Sequence, residues 1–240
     1  MAGALAVLAQ NAHGQILYND TTTSLTKNFN FDNAEAGNQI ILAGGSGPST
    51  TYNITDFTFG YDFDGPNTTS TTGVTADVKF YANDSATKVA GYSAPGTVLF
   101  DSGPFKLGGY TGPVGSDAGS PGNFNLAQLT AGNLVNLTGP VPQDFTWTIT
   151  FAGLGAGQSA GELEYAPPTT GTNFADAWVN TGSGWTLQTA STPPGGSLQF
   201  YAEVQGTVAS SGVPDASCLP VSALAVAAGL GCMKRFGRKA

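Results

Sequence analysis

Phe145-Thr146-Trp147-Thr148-Ile149-Thr150-Phe151 alternates without a break: every second side chain is large and apolar, and every residue between is threonine. Successive side chains on a strand point to opposite faces, so this stretch predicts a β-strand with one face in a core and the other toward water. The same alternation recurs in Phe57, Phe59, Tyr61 and Phe63, in Val74, Ala76, Val78 and Phe80, and in Leu198, Phe200, Ala202 and Val204. No comparable helical period occurs before the C-terminal stretch.

Weaker strand patterns lie at 26–31, 39–43, 96–101, 134–137, 162–165, 175–179 and 185–188, separated by Gly, Asn, Asp, Ser and Pro. Short strands with turn signals between them, and no fixed-period repeat, predict two packed antiparallel sheets. The expected fold is all-β, a jelly-roll-like antiparallel β-sandwich over residues 15–208, with an immunoglobulin-type sandwich as the alternative. The Gly- and Pro-rich stretch 106–123 is the longest expected loop, and 209–212 is an expected linker of small residues.

Composition agrees. The 240 residues include 34 Gly and 14 Pro, only 10% are charged, and 10% are aromatic. That suits pleated, half-buried strands and differs from a disordered chain, which lacks such aromatics. Between residues 15 and 212 four lysines (Lys27, Lys79, Lys88, Lys106) face fifteen acids, a balance of −11. Nucleic acid is therefore excluded as a partner, because phosphate neutralisation needs clustered Lys and Arg. The cysteines, Cys218 and Cys232, lie outside this body, which rules out a disulfide-stapled or cysteine–zinc fold there.

The two ends differ from the body. Residues 1–14 are mostly small and apolar, and Ala12-His13-Gly14 gives a small-x-small pattern like the end of a secretory signal peptide. At the other end Val213-Pro214-Asp215 is followed by an uncharged stretch, 216–233, and then by Lys234, Arg235, Arg238 and Lys239. Eighteen helical residues at ~1.5 Å each span about 27 Å, close to a bilayer hydrocarbon core. Basic residues after the span would hold the C-terminus in the cytoplasm and leave the body outside. Alanine and glycine dominate the span, so it reads as a weak, transient transmembrane anchor.

This order of a short Pro-containing acidic motif, an apolar helix and a basic end resembles the PEP-CTERM sorting signal of exported proteins in Gram-negative bacteria, in its Val-Pro-Asp variant. The resemblance covers residues 213–240. It implies that an exosortase-type processing enzyme recognises Val213, Pro214 and Asp215. It further implies that the helix and basic stop are later released, leaving the body at the cell surface or in an extracellular matrix with exopolysaccharide.

Candidate chemistry in the body is sparse. His13 is the only histidine, which removes histidine-based triads and histidine-rich metal sites. Glu162 and Glu164 would share one strand face about 6.5–7 Å apart, a spacing open to a glycosidase pair but more common on a solvated face. Asp62-Phe63-Asp64-Gly65, with Asp56 and Asn67 nearby, offers hard oxygen ligands for Ca2+ at Asp62 and Asp64, or simply a turn. Trp178 and Trp185 flank the turn Asn180-Thr181-Gly182-Ser183-Gly184 and either pack the sandwich or form a glycan platform, whereas Trp147 reads as core. The expected function is an exported, non-enzymatic surface or matrix protein without a cofactor; a carbohydrate-binding module, with Ca2+ as a candidate ligand, is the alternative.

Overall fold

The computed structural model describes residues 14–46, 49–64, 73–107, 125–189 and 198–209. All of them fall in one compact unit, Met1–Ala209. Along the chain the strands are β1 (Gln15–Asp20), β2 (Ser24–Asn30), β3 (Glu35–Ile41), β4 (Thr51–Asp64), β5 (Thr75–Ala82), β6 (Lys88–Val89), β7 (Tyr92–Ser93), β8 (Val98–Asp101) and β9 (Phe105–Lys106). They continue as β10 (Asn125–Thr130), β11 (Val141–Pro142), β12 (Asp144–Ala152), β13 (Ser159–Tyr165), β14 (Thr172–Asn173), β15 (Ala177–Asn180), β16 (Trp185–Gln188) and β17 (Ala202–Val208).

The protein is all-β, a sandwich of two antiparallel sheets. The first sheet runs β1-β17-β4-β13-β2, with β10 and β11 on the opposite edge of β4. The second runs β16-β15-β3-β12-β5-β8, with β14 on β3 and β9 on β5. A small hairpin, β6–β7, stands apart from both.

β12 sits between β3 and β5 and turns its apolar side chains to the core, but the expected water-facing side is corrected: Thr146 and Thr148 are fully buried as well. Phe145, Trp147, Ile149 and Phe151 point inward and are buried. Opposite them, β4 presents Phe57, Phe59, Tyr61 and Phe63. Phe57 joins the layers, with its ring 5.1 Å from Trp147 and 5.2 Å from Phe80, both edge-on. Each such buried ring contributes about 1.5–3 kcal/mol by leaving water, and edge-on pairs add about 0.5–1.5 kcal/mol.

One buried amide ties the sheets together. Asn38 on β3 faces inward beside Trp147. It donates to the carbonyls of Leu198 (2.7 Å) and Asp176 (2.9 Å) and accepts from the Phe200 amide (2.7 Å). Residues 198–201 meanwhile lie between β13 and β4. Tyr165 N–H donates to Gln199 O, Tyr201 N–H to Leu163 O and Gly60 N–H to Tyr201 O. That explains one departure from the sequence pattern: Leu198 and Phe200 are buried as alternation predicts, yet regular pairing starts only at Ala202.

Two further expectations are corrected. Residues 134–137 form no strand; Leu134–Asn136 is a 3-10 turn, closed by Leu137 N–H on Leu134 O, with Val135 exposed to solvent. β3 begins at Glu35 rather than at residue 39, because Ala36-Gly37 reads as a turn by composition but is a strand. Gly37 is required there: a Cβ would lie 1.9 Å from the Trp147 carbonyl oxygen.

Candidate functional site

Parity on β12 determines what the second sheet presents outward. With residues 145, 147, 149 and 151 toward the core, Asp144, Thr146, Thr148 and Thr150 lie on the opposite side of the sheet, where Asp144 is exposed and Thr146 and Thr148 are fully buried. Register places Glu35, Gly37 and Gln39 of β3 beside them, and Asp77, Lys79 and Tyr81 of β5 on the other flank. Asp101 of β8 pairs with Lys79, Trp178 of β15 with Gly37, and Trp185 of β16 with Asn180, which itself pairs with Glu35.

Trp178 and Trp185 therefore share the outer face, as the glycan-platform reading requires, but their roles separate. Trp178 is only 1% exposed and acts as packing. With Gln39, Tyr92, Phe174, Asp176 and Leu187 it closes around a cavity of about 10 Å³, room for at most one water. Tyr92, from the β6–β7 hairpin, sets its ring 5.2 Å from Phe174, so the hairpin leans over this part of the face.

Trp185 is half-buried, and its ring lies 5.5 Å from that of Tyr81, nearly perpendicular. In the sheet order β16-β15-β3-β12-β5 these two residues stand four strand spacings apart, roughly 19 Å on a flat sheet. Their ring contact means that the sheet curls and its outer face is concave. At the bottom of the curve the Tyr81 hydroxyl (2.8 Å) and the Thr148 hydroxyl (2.6 Å) both donate to Oε1 of Glu35. Burial, followed by the neighbouring Glu35 carboxylate, pushes the Tyr81 hydroxyl far above its ordinary value, so it stays a neutral donor.

Carboxylates rim this aromatic pair. Lys79 lies between Asp77 (3.6 Å) and Asp101 (3.8 Å). Burial raises the Asp77 carboxyl despite the opposing pull of Lys79. Asp144 accepts from Gln39 Nε2 (2.8 and 3.1 Å) and Asn83 Nδ2 (2.7 Å), while Thr146 donates to Asn83 Oδ1 (2.7 Å). An indole can stack on the C–H face of a sugar while the fixed carboxylate oxygens beside it accept hydrogen bonds from the sugar hydroxyls.

The remaining site residues fare differently. Glu162 and Glu164 do share one face of β13, but it is the inward one: Glu162 pairs with Tyr61 and Phe29, and Glu164 bridges to Phe200. The expected solvated face is thus corrected. Both side chains are buried, and among the described residues both oxygens of Glu162 lack a hydrogen-bond partner. Burial drives the Glu162 carboxyl well up, and raises that of Glu164 against the pull of Lys27. A polymer substrate cannot reach either of them.

Asp20, which Asn19-Asp20 disguises as a turn, is a third buried acid, fully enclosed on β1 opposite Ala202. Among the described residues neither oxygen has a partner within strict hydrogen-bond geometry, the Asn173 amide being the polar group nearby. Burial raises its carboxyl to about 7, although the nearby Asn173 amide favours the charged form. That amide donates to the Tyr18 hydroxyl at 2.8 Å.

Asp62 faces out from the first sheet, buried, with Oδ1 accepting its neighbour Phe63 N–H at 2.8 Å and Oδ2 3.5 Å from Asn28 Nδ2. The side chain of Asp64 and residues 65–72 lie outside the described residues. Among the described residues no group of three or more His, Cys, Asp or Glu is placed to hold a metal. Residues 1–13, 108–124 and 210–240 also lie outside them, and with these Val213, Pro214, Asp215, Lys234, Arg235, Arg238 and Lys239. Among the described residues no helix is long and apolar enough to cross a membrane.

No protein-family model matches the chain, and no curated protein matches it. A chain in the structure of infectious bursal disease virus, Gt strain, is similar over 88% of this chain and 42% of its own, with 9% identity and a TM-score of 0.20. That likeness is too slight to carry an argument.

Proposed function

We propose that the protein is an exported, non-enzymatic surface or extracellular-matrix component that associates with polysaccharide through the concave outer face of its second sheet. The observation that carries this reading is Trp185, partly open to solvent, set against Tyr81 and rimmed by Glu35, Asp77 and Asp101. The enclosure of Glu162 and Glu164 supports the non-enzymatic half, because the acid pair of the glycosidase reading lies in the core.

The fold within this reading is jelly-roll-like. Strand order supports it: β2-β13-β4-β10 in one sheet mirrors β3-β12-β5-β8 in the other, two four-stranded layers with the chain crossing repeatedly between them. β1, β17, β15 and β16 widen this framework, and β15–β16 supplies Trp185. In the turn that joins them Gly182 and Gly184 take φ of +92° and +117°.

Export and transient anchoring rest on the sequence of residues 213–240, with Val213-Pro214-Asp215 as the motif an exosortase-type enzyme would read. Intact-mass measurement of the mature protein from its native envelope, with fractionation of chains with and without residues 213–240, tests this half. A mass that lacks the tail and a fractionation that depends on it are expected; identical fractionation of both chains would overturn it. Co-sedimentation of the full chain with extracellular polysaccharide tests the other half, and a chain left wholly in the supernatant would refute it.

A further inference from the structure

We propose that the concave face selects a neutral, hydroxyl-bearing glycan and rejects polymers that carry uronate, sulfate or phosphate groups. This inference rests on the polysaccharide reading above and names the ligand class. It follows from the charges that parity and register bring to one face. Five carboxylates gather there: Glu35, Asp77, Asp101, Asp144 and Asp176. Two lysines share the face. Lys79 is engaged by Asp77 and Asp101, and Lys106 pairs with Thr75, at the end of β5 away from Tyr81. On the β6–β7 hairpin Lys88 pairs with Ser93, on the ribbon face opposite the one that Val89 and Tyr92 share.

The donors at the centre are already committed. The Tyr81 and Thr148 hydroxyls both point at Glu35 Oε1, and the Gln39 and Asn83 amides both point at Asp144. What the face offers an incoming ligand is therefore acceptor oxygens and one indole. Sugar hydroxyls donate to such acceptors. A ligand carboxylate or phosphate would meet no free cation among the described residues of this face and would be held against like charges, a repulsion that grows as salt is lowered. The acidic balance of the whole body, −11 over residues 15–212, acts in the same direction at long range.

Trp185 supplies its own reporter. Of the three tryptophans, Trp147 and Trp178 are buried, so ligand-dependent changes in indole emission come from Trp185. The experiment titrates the full chain with dextran and galactomannan as neutral probes and alginate as a uronate probe, at low and high salt, following tryptophan emission. A neutral probe is expected to bind equally at both salt concentrations, and alginate not at all at low salt. Trp185→Ala should weaken neutral binding roughly tenfold and Trp185→Phe, which keeps a ring, by less. Asp101→Lys should admit alginate at low salt.

Alginate binding as tight as the neutral probes at low salt would overturn the neutral class while leaving the polysaccharide reading in place. Unchanged neutral binding, read calorimetrically, by a folded Trp185→Phe or Trp185→Ala chain would overturn the assignment to this face. Failure of every polysaccharide, including the native matrix, would remove the underlying function itself.

Discussion

Asp20→Asn is expected to remove much of a pH dependence that the wild-type fold builds in. Asp20 is fully enclosed, with no well-formed hydrogen bond to either oxygen among the described residues, and burial pushes its carboxyl from the ordinary 3.8 up to about 7. The folded state thus holds a proton that the unfolded chain releases near 3.8. The associated stability is fully present below that value and is lost as pH rises through about 7. At about 1.4 kcal/mol per tenfold change in proton affinity, the loss reaches a ceiling of about 4 kcal/mol. Against a typical domain stability of about 5–15 kcal/mol, that is a large share.

Asparagine keeps the shape and cannot ionise. Urea unfolding followed by tryptophan emission should therefore show wild-type stability falling by a few kcal/mol between about pH 5 and about pH 9, and Asp20→Asn falling by clearly less. The variant keeps a residual slope of the same sign from Glu162, whose carboxyl burial also raises. Parallel profiles for the two proteins, or a wild type that gains stability with rising pH, would refute the argument.

Other perturbations test separate parts of the account. Asn38→Ala strands the Leu198 and Asp176 carbonyls and the Phe200 amide, and should lower unfolding free energy by about 3 kcal/mol; a loss under about 1 kcal/mol would contradict the stitching role. Gly37→Ala drives a Cβ onto the Trp147 carbonyl and should cost above about 3 kcal/mol by thermal unfolding, whereas Gly73→Ala, with nothing within 4 Å of the new atom, should be close to neutral. If Ca2+ plays no part, chelation with EDTA leaves both the melting temperature and polysaccharide affinity unchanged, whereas a drop in either would support the Ca2+ reading at Asp62 and Asp64.

Legibility in the sequence followed how strictly a segment obeys one period. β12, β4 and β5 were readable as strands because each turns one alternating apolar face to the core; that the threonine side of β12 is also buried, at Thr146 and Thr148, was not readable. The two strands of the β15–β16 hairpin and the glycine-bearing turn between them were readable, but that both tryptophans share one face comes from the register, Trp185 opposite Asn180. β13 inverts its own pattern. In Gly161-Glu162-Leu163-Glu164-Tyr165 the apolar residues suggest the buried face, yet pairing of Ala160 with Phe63 turns the glutamates inward. Leu163 and Tyr165 instead pack outside with Tyr201, whose ring meets that of Tyr165 at 4.9 Å. Only the register to β4 decides this, and register is a long-range property.

The site was legible in part for the same reason. Trp185 could be singled out by type and by the turn beside it, but its partners Tyr81, Glu35 and Asp101 come from three other strands and from the curl of the sheet. No local pattern marks them.

The central claim, that polysaccharide binds where Trp185 opens to solvent, is tested most directly by acrylamide quenching of tryptophan emission with and without the native matrix polysaccharide. Free protein is expected to be quenched through Trp185, saturating polysaccharide to shield it, and the Trp185→Phe chain, left with the buried Trp147 and Trp178, to show little quenching in either state. Quenching that saturating polysaccharide leaves unchanged would contradict it.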